Sequence, residues 1–166
     1  MWKMIASLSM TALLISTAHA IDIDKDSLAK IQEEAKREVD NVINLKPLKV
    51  AGNLCLDVAG DIHANGTNVH IFGCNDAPNQ KWRIDAGRMV NEGGKCLDVA
   101  GDVNAAGTNV QIFDCNDAPN QKWRLEGGRL VNGGGKCLDA AGDVNAAGTN
   151  VQIFDCNDAP NQKWAF

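Results

Sequence analysis

Three residue types recur at one spacing and could together hold a polyhydroxylated ligand: an aspartate, an aromatic and an asparagine. They stand as Asp57, Phe72 and Asn79, then Asp98, Phe113 and Asn120, then Asp139, Phe154 and Asn161, each set 41 residues after the last. Beside them fall His70 and Gln80, Gln111 and Gln121, and Gln152 and Gln162. A sugar ring needs a flat aromatic over its apolar C–H face and fixed lone pairs and donors for its hydroxyls. In that reading Asp accepts from two adjacent hydroxyls, Phe stacks on the ring, and Asn donates. Spacing alone leaves open the alternative that these are turn-forming and surface polar residues.

Other chemistries fit poorly. Outside the N-terminal segment the histidines are His63 and His70, and no hydroxyl or thiol stands in a convincing triad. Exposed carboxylates such as Asp57 and Asp61 do not by themselves make a glycosidase, so no catalytic residues are assigned. The segments Asp61–Gly66 and Asp102–Gly107 start like calcium loops, but Phe72 and Phe113 stand where the bidentate glutamate belongs. Cysteine spacing without CxxC argues against zinc, and neither a metal nor a cofactor is expected. With 16 Lys and Arg against 21 Asp and Glu, and no basic cluster, nucleic acid is not the expected partner. Asn65-Gly-Thr67 is a glycosylation sequon, relevant only in a host that glycosylates exported proteins.

The elements that must position these residues follow from the repeat. Cys55, Cys96 and Cys137, Cys74, Cys115 and Cys156, and Trp82, Trp123 and Trp164 all keep the 41-residue period. From cysteine to tryptophan the second and third copies differ only at Val99 against Ala140; the first differs from the second at Ile62, His63, Asn65, His70 and Gly73. Three copies are too few for a propeller and lack the helical periodicity of a solenoid. Within the second copy, short strands are read around residues 95–99, 109–114, 122–125 and 129–131, separated by Gly- and Asn-rich turns. Leu48 to Val50 occupies the register of Met89 and Leu130, so an N-terminal strand closes the barrel beside the C-terminal one. An all-β trefoil over residues 47–166 follows, with the tryptophans plugging a shared core. Symmetry favours the bridges 55–74, 96–115 and 137–156 among the many pairings six cysteines allow, each worth roughly 2–4 kcal/mol.

The rest of the chain differs in kind. Met1 to Met4 carries one lysine, Ile5 to Thr17 is largely apolar, and Ala18-His19-Ala20 is a small-x-small site. This reads as a signal peptide over residues 1–20, sending the protein to the periplasm or outside the cell, where disulfides form. No other apolar run approaches membrane-spanning length. In residues 21–46, Leu28, Ile31, Ala35, Val39 and Val42 share one helical face, with Asp24, Asp26 or Ser27 as its cap. This segment is either a helix or spacer folded against the trefoil, or a docking element for a protein partner.

The pattern Cys-Leu-Asp, then Gly-Thr-x-Val-Gln-Ile-Phe-x-Cys, then Asn-Gln-x-Trp, three times over, resembles the ricin-type β-trefoil lectins and carbohydrate-binding modules. The resemblance implies that Asp57, Phe72 and Asn79 and their counterparts touch sugar. It also implies that His70, Gln111 and Gln152 assist, and that Gln80, Gln121 and Gln162 support the site. Non-catalytic binding of galactose-like or xylan-like glycans is then expected, with a protein-binding or toxin-accessory trefoil as the alternative. Phe stands where the better characterised members carry Trp or Tyr, and His70 replaces Gln in the first copy. Each subsite is therefore expected to be weak, near millimolar or about −4 kcal/mol, and triplication to compensate through avidity.

Overall fold

The computed structural model describes residues 24–50, 53–102, 104–142 and 146–166. The expected signal peptide lies outside them. The chain divides into units of residues 1–37 and 38–166.

Helix α1 runs over Lys25–Ile43. Its start is set by Asp24, whose carboxylate accepts from the Ser27 amide at 2.7 Å and from the Ser27 hydroxyl at 2.9 Å. Of the three candidate caps, Asp24 is the one that reaches a free backbone donor of the first turn. Leu28, Ile31 and Val39 are exposed. No helix among the described residues is long and apolar enough to cross a membrane.

The remainder is a β-trefoil of twelve short strands: β1 Lys46–Pro47, β2 Lys49–Val50, β3 Leu54–Val58, β4 Val69–Gly73, β5 Lys81–Asp85, β6 Arg88–Asn91, β7 Cys96–Val99, β8 Val110–Phe113, β9 Trp123–Glu126, β10 Arg129–Asn132, β11 Cys137–Ala140 and β12 Val151–Phe154. All pairing is antiparallel, within three sheets ordered β1-β5-β6-β7-β8, β12-β11-β10-β9 and β2-β3-β4. Two-residue turns at Ala86-Gly87 and Gly127-Gly128 join β5 to β6 and β9 to β10, with positive φ at each of these residues. Such turns match the twist of the flanking strands, and glycine adopts them without strain. At the third equivalent place the first and last segments of the trefoil meet. Lys49 and Ala165 exchange backbone hydrogen bonds of 2.7 and 2.9 Å, so the strand from Leu48 to Val50 closes the barrel against the C-terminal segment.

Alternation along the strands builds the core. In β7 and β8, Leu97, Val99, Val110 and Ile112 point inward and are fully or almost fully buried, as are their counterparts in the other lobes. Trp82, Trp123 and Trp164 join them. Each indole Nε1–H donates at 2.9 Å to a strand carbonyl, of Leu56, Leu97 and Leu138 respectively. The tryptophans are core residues, as their placement in the sequence implies. The disulfides Cys55–Cys74, Cys96–Cys115 and Cys137–Cys156 tie each lobe to itself.

Replacing Trp123 by Ala removes a buried indole and strands the Leu97 carbonyl, and is expected to lower stability by about 3–5 kcal/mol. The change Leu125→Ala, at an exposed position of the same strand, is expected to stay within about 0.5 kcal/mol. Guanidinium unfolding of the two variants checks both.

Candidate functional site

Each site begins with strand register. In the hairpin β7–β8, Asp98 lies opposite Gln111 and Cys96 opposite Phe113. Because side chains alternate across a strand, these four residues share the face away from the core. The same pairing places Asp57 opposite His70 in β3–β4 and Asp139 opposite Gln152 in β11–β12. The sequence-predicted polar and aromatic residues of each lobe therefore converge in space.

The aspartates are buried, at 3%, 4% and 3% exposure for Asp57, Asp98 and Asp139. A buried carboxylate is tolerated only when its lone pairs are met by donors. In the second lobe Oδ1 of Asp98 accepts from Gln111 Nε2 at 3.0 Å, and Oδ2 accepts from Asn120 Nδ2 and Gln121 Nε2, both at 2.9 Å. The third lobe repeats this with Gln152, Asn161 and Gln162 around Asp139. In the first, His70 Nε2 lies 2.9 Å from Asp57 Oδ1, with Asn79 and Gln80 on Oδ2.

The asparagine and the second glutamine come from a short 3-10 turn, Pro119–Gln121 in the second lobe, with Pro78–Gln80 and Pro160–Gln162 as equivalents. Proline starts it where no backbone donor is needed. Just before it, Asn116 Oδ1 accepts from the Ala118 amide at 2.8 Å and closes an Asx turn. Gln121 is fully buried and makes three bonds: two from Nε2, to Asp98 and to the Asp114 carbonyl, and one at Oε1 from the Asn116 amide. The Gln-Lys-Trp run thus fixes the aspartate twice. Gln121 holds its carboxylate, and Trp123 holds the carbonyl of the preceding residue.

Around each carboxylate lies an open concavity, of about 240 Å³ in the first lobe, 270 Å³ in the second and 390 Å³ in the third. Phe72, Phe113 and Phe154 stand at the rims, 45%, 39% and 40% exposed. These apolar faces are left in water although the core lies close by, as a stacking platform requires. Residues the sequence reading passed over also line the walls: Asn75, Asn116 and Asn157, together with Gly60, Gly101 and Gly142. Their 41-residue period was a usable signal, but turn roles masked it.

The polar side of the site differs from the sequence expectation in one respect. Asn120 Nδ2 spends both hydrogens on the protein, one on Asp98 and one on the Val99 carbonyl at 3.3 Å, which leaves its Oδ1 without a protein partner. That oxygen is itself buried, so Asn120 serves to hold Asp98. Each aspartate, already holding three donors, keeps about one of its four lone-pair positions for a further hydroxyl.

The lobes are not identical. His70 stacks on Phe72 with centroids 5.6 Å apart and planes 17° from parallel, which extends the aromatic platform of the first lobe. The second and third lobes carry ion pairs beside their disulfides, Lys95 with Asp114 and Lys136 with Asp155. Hydrogen bonds from Lys95 and then Asn65 hold Asp114 below its ordinary value. Asp117 is lowered first by the hydrogen bond from Lys122, then by the charges of Lys122 and Arg88. Asp158 is lowered in the same way by Lys163 and Arg129. Asp117 and Asp158 therefore brace the turns that deliver Asn120 and Asn161. No group of three or more potential metal ligands occurs among the described residues.

The fold is that of a β-trefoil with three equivalent lobes, and comparison with known proteins makes that specific. Residues 41–164 match the family described as the ricin-type β-trefoil lectin domain, and the chain belongs to that family. No curated protein sequence matches it. Among solved structures it is similar to the designed threefold-symmetric protein ThreeFoil (29% identity, 73% of this chain and 96% of that one, TM-score 0.67). It is also similar to the agglutinin of Abrus precatorius (25% identity, 73% of this chain and 48% of that one, TM-score 0.62). A third similar structure is the β-trefoil lectin of the Vibrio vulnificus hemolysin/cytolysin, solved with N-acetyl-D-lactosamine bound (26% identity, 74% and 92%, TM-score 0.59).

Two outcomes are expected of this network. Gln121→Leu leaves a buried carboxylate short of a donor and two backbone groups unmet, lowering stability by about 2–4 kcal/mol in urea unfolding. The depressed aspartates contribute stability that is complete above their ordinary value of 3.8 and is lost as pH falls through their lower folded values. The double change Lys122→Gln and Lys163→Gln removes the largest causes of the depression and leaves the charges of Arg88 and Arg129. Less stability is then lost between pH 7 and pH 3 than in the parent, in low salt where surface pairs are least screened.

Proposed function

We propose that this protein is a non-catalytic, multivalent lectin that binds galactose-like or xylan-like glycans through three weak subsites. One observation carries the reading: the same constellation of buried aspartate, inward-turned asparagine and exposed phenylalanine is built three times, each around its own open concavity. The galactose-containing disaccharide bound by the Vibrio vulnificus lectin supports the first sugar class. Each described site offers one carboxylate among its lining residues, whereas glycoside hydrolysis uses two flanking the scissile bond. Phe gives a smaller face than Trp, so single-site binding near millimolar, about −4 kcal/mol, is the working figure. Polyvalent ligands then bind through effective concentration. Three disulfides and the signal-like N-terminal segment support export to the periplasm or beyond.

The test is a glycan array probed with the protein displayed multivalently, alongside pull-down on insoluble xylan. Signal is expected on galactose-terminated or xylan ligands and is expected to disappear in the triple variant Phe72→Ala, Phe113→Ala, Phe154→Ala. These side chains are exposed, so their removal leaves the core intact, whereas the aspartates are structural as well. Absence of any glycan signal from folded protein overturns the lectin reading. The exposed apolar residues of α1 then support the second reading, a trefoil that serves a protein partner through residues 21–46.

A further inference from the structure

Helix α1 carries an apolar stripe that the described structure leaves exposed: Leu28 at 46%, Ile31 at 53% and Val39 at 56%, with Ala35 between them also exposed. Successive spacings of three, four and four residues close an eleven-residue period. That period keeps a stripe nearly in line along a helix, with little supercoil needed to hold two such stripes together. At about 100° per residue, Leu28, Ile31 and Val39 all fall within about 40° of Ala35. Ala35 sits at the middle of the seam, where a small side chain lets a second helix approach closely.

We propose that α1 pairs in parallel with α1 of a second copy of this chain. The charges beside the seam select both the occupant and its direction. Glu34 lies about 100° to one side of Ala35 and Lys36 about 100° to the other. Two parallel helices related by a twofold axis along their length bring the Glu34 edge of one beside the Lys36 edge of the other, and the match is made twice. An antiparallel pair centred on Ala35 sets Glu34 beside Glu34 and Lys36 beside Lys36, which repels on both edges. Neither residue has an ion-pair partner among the described residues, so both are available to the second helix. A seam of this length is short, so the pairing is weak and concentration-dependent. The pairing itself does not rest on the sugar reading. Its consequence does: joining two trefoils doubles the subsites offered to one polyvalent glycan and raises avidity without a new sugar contact.

Sedimentation equilibrium of the full chain, without sugar and over a wide concentration range, tests the proposal. The apparent mass is expected to rise from one chain towards two. Ile31→Asp, at an exposed position, is expected to hold the protein at one chain. Lys36→Glu is expected to weaken association several-fold, and the double variant Glu34→Lys, Lys36→Glu to restore it, because the two edges are merely exchanged. A protein that stays monomeric at every concentration overturns the pairing. Association that Lys36→Glu leaves untouched, or that the double variant fails to recover, overturns the parallel arrangement. Circular dichroism of each variant controls for the helix. A monovalent sugar titration stays at the parent value throughout, so failure of the pairing and failure of the lectin reading are read separately.

Discussion

A carboxylate that is almost fully buried is the constraint around which each lobe is organised. Asp98, at 4% exposure, needs donors for its buried oxygens, and the three it has arrive from two different directions. Gln111 comes from the partner strand, so the hairpin register must be right. Asn120 and Gln121 come from the 3-10 turn, so that turn must fold back over the strand. Its return is secured by Trp123, whose indole is buried and bonded to the Leu97 carbonyl. The apolar drive to bury the indole and the electrostatic need of the carboxylate thus act on the same three-residue run. The candidate site and the core plug share one device, and a lobe that lost either would lose both.

No lobe completes itself. The glycine turn at the tip of each hairpin docks on the next lobe: Gly66 donates to the Ile112 carbonyl, Gly107 to that of Ile153 and Gly148 to that of Ile71, at 2.7–2.8 Å. Gly66, Gly107 and Gly148 have φ of +81°, +87° and +88°, a conformation that disfavours any side chain. The reciprocal bonds return from Ile112 to Thr67, Ile153 to Thr108 and Ile71 to Thr149. Asn68, Asn109 and Asn150 close a cyclic set in which each amide donates to the next at 2.8–2.9 Å. The backbones of Gln111, Gln152 and His70 bridge to Asn68, Asn109 and Asn150, so the donor that steadies each aspartate is itself steadied by the neighbouring lobe. Three short repeats could not bury a core singly. Joined in a ring, they make a cooperative unit in which the sites are coupled to the fold.

Much of this was legible in the sequence because it is periodic. Cysteine, aspartate, phenylalanine, glutamine and tryptophan each return after 41 residues, and a period shared by apolar and polar positions fixes strands, bridges and site together. Closure by Leu48 to Val50 was legible for the same reason, as the missing third copy of Met89 and Leu130. Contacts that depend on how lobes meet were not. The ring of Asn68, Asn109 and Asn150 is periodic too, but nothing in a single copy says that an asparagine beside a strand meets its counterparts in the other lobes. Nor does residue type reveal which way an amide points: Asn120 was read as a donor to ligand, and its amine is committed to Asp98 and the Val99 carbonyl. His70 and Phe72 are i,i+2 neighbours on one face of β4, so alternation brings them side by side, but the rotamers that lay the rings nearly parallel are not read from residue type.

On the proposed lectin reading, the filled network constrains how a sugar could be held. A ligand hydroxyl would meet a carboxylate with about one lone pair to spare, held rigid by its neighbours. Little ordering is left to be done on binding, which favours affinity, but few strong polar contacts remain to be made, which limits it. Discrimination would then fall on the exposed aromatic face of Phe113. In the first lobe His70 widens that platform and replaces the amide that steadies Asp57, so the first subsite differs from the others in both stacking area and hydrogen bonding. The three candidate sites are therefore two near-copies and one variant, and the ring of lobes accommodates a different residue at one of the three equivalent positions.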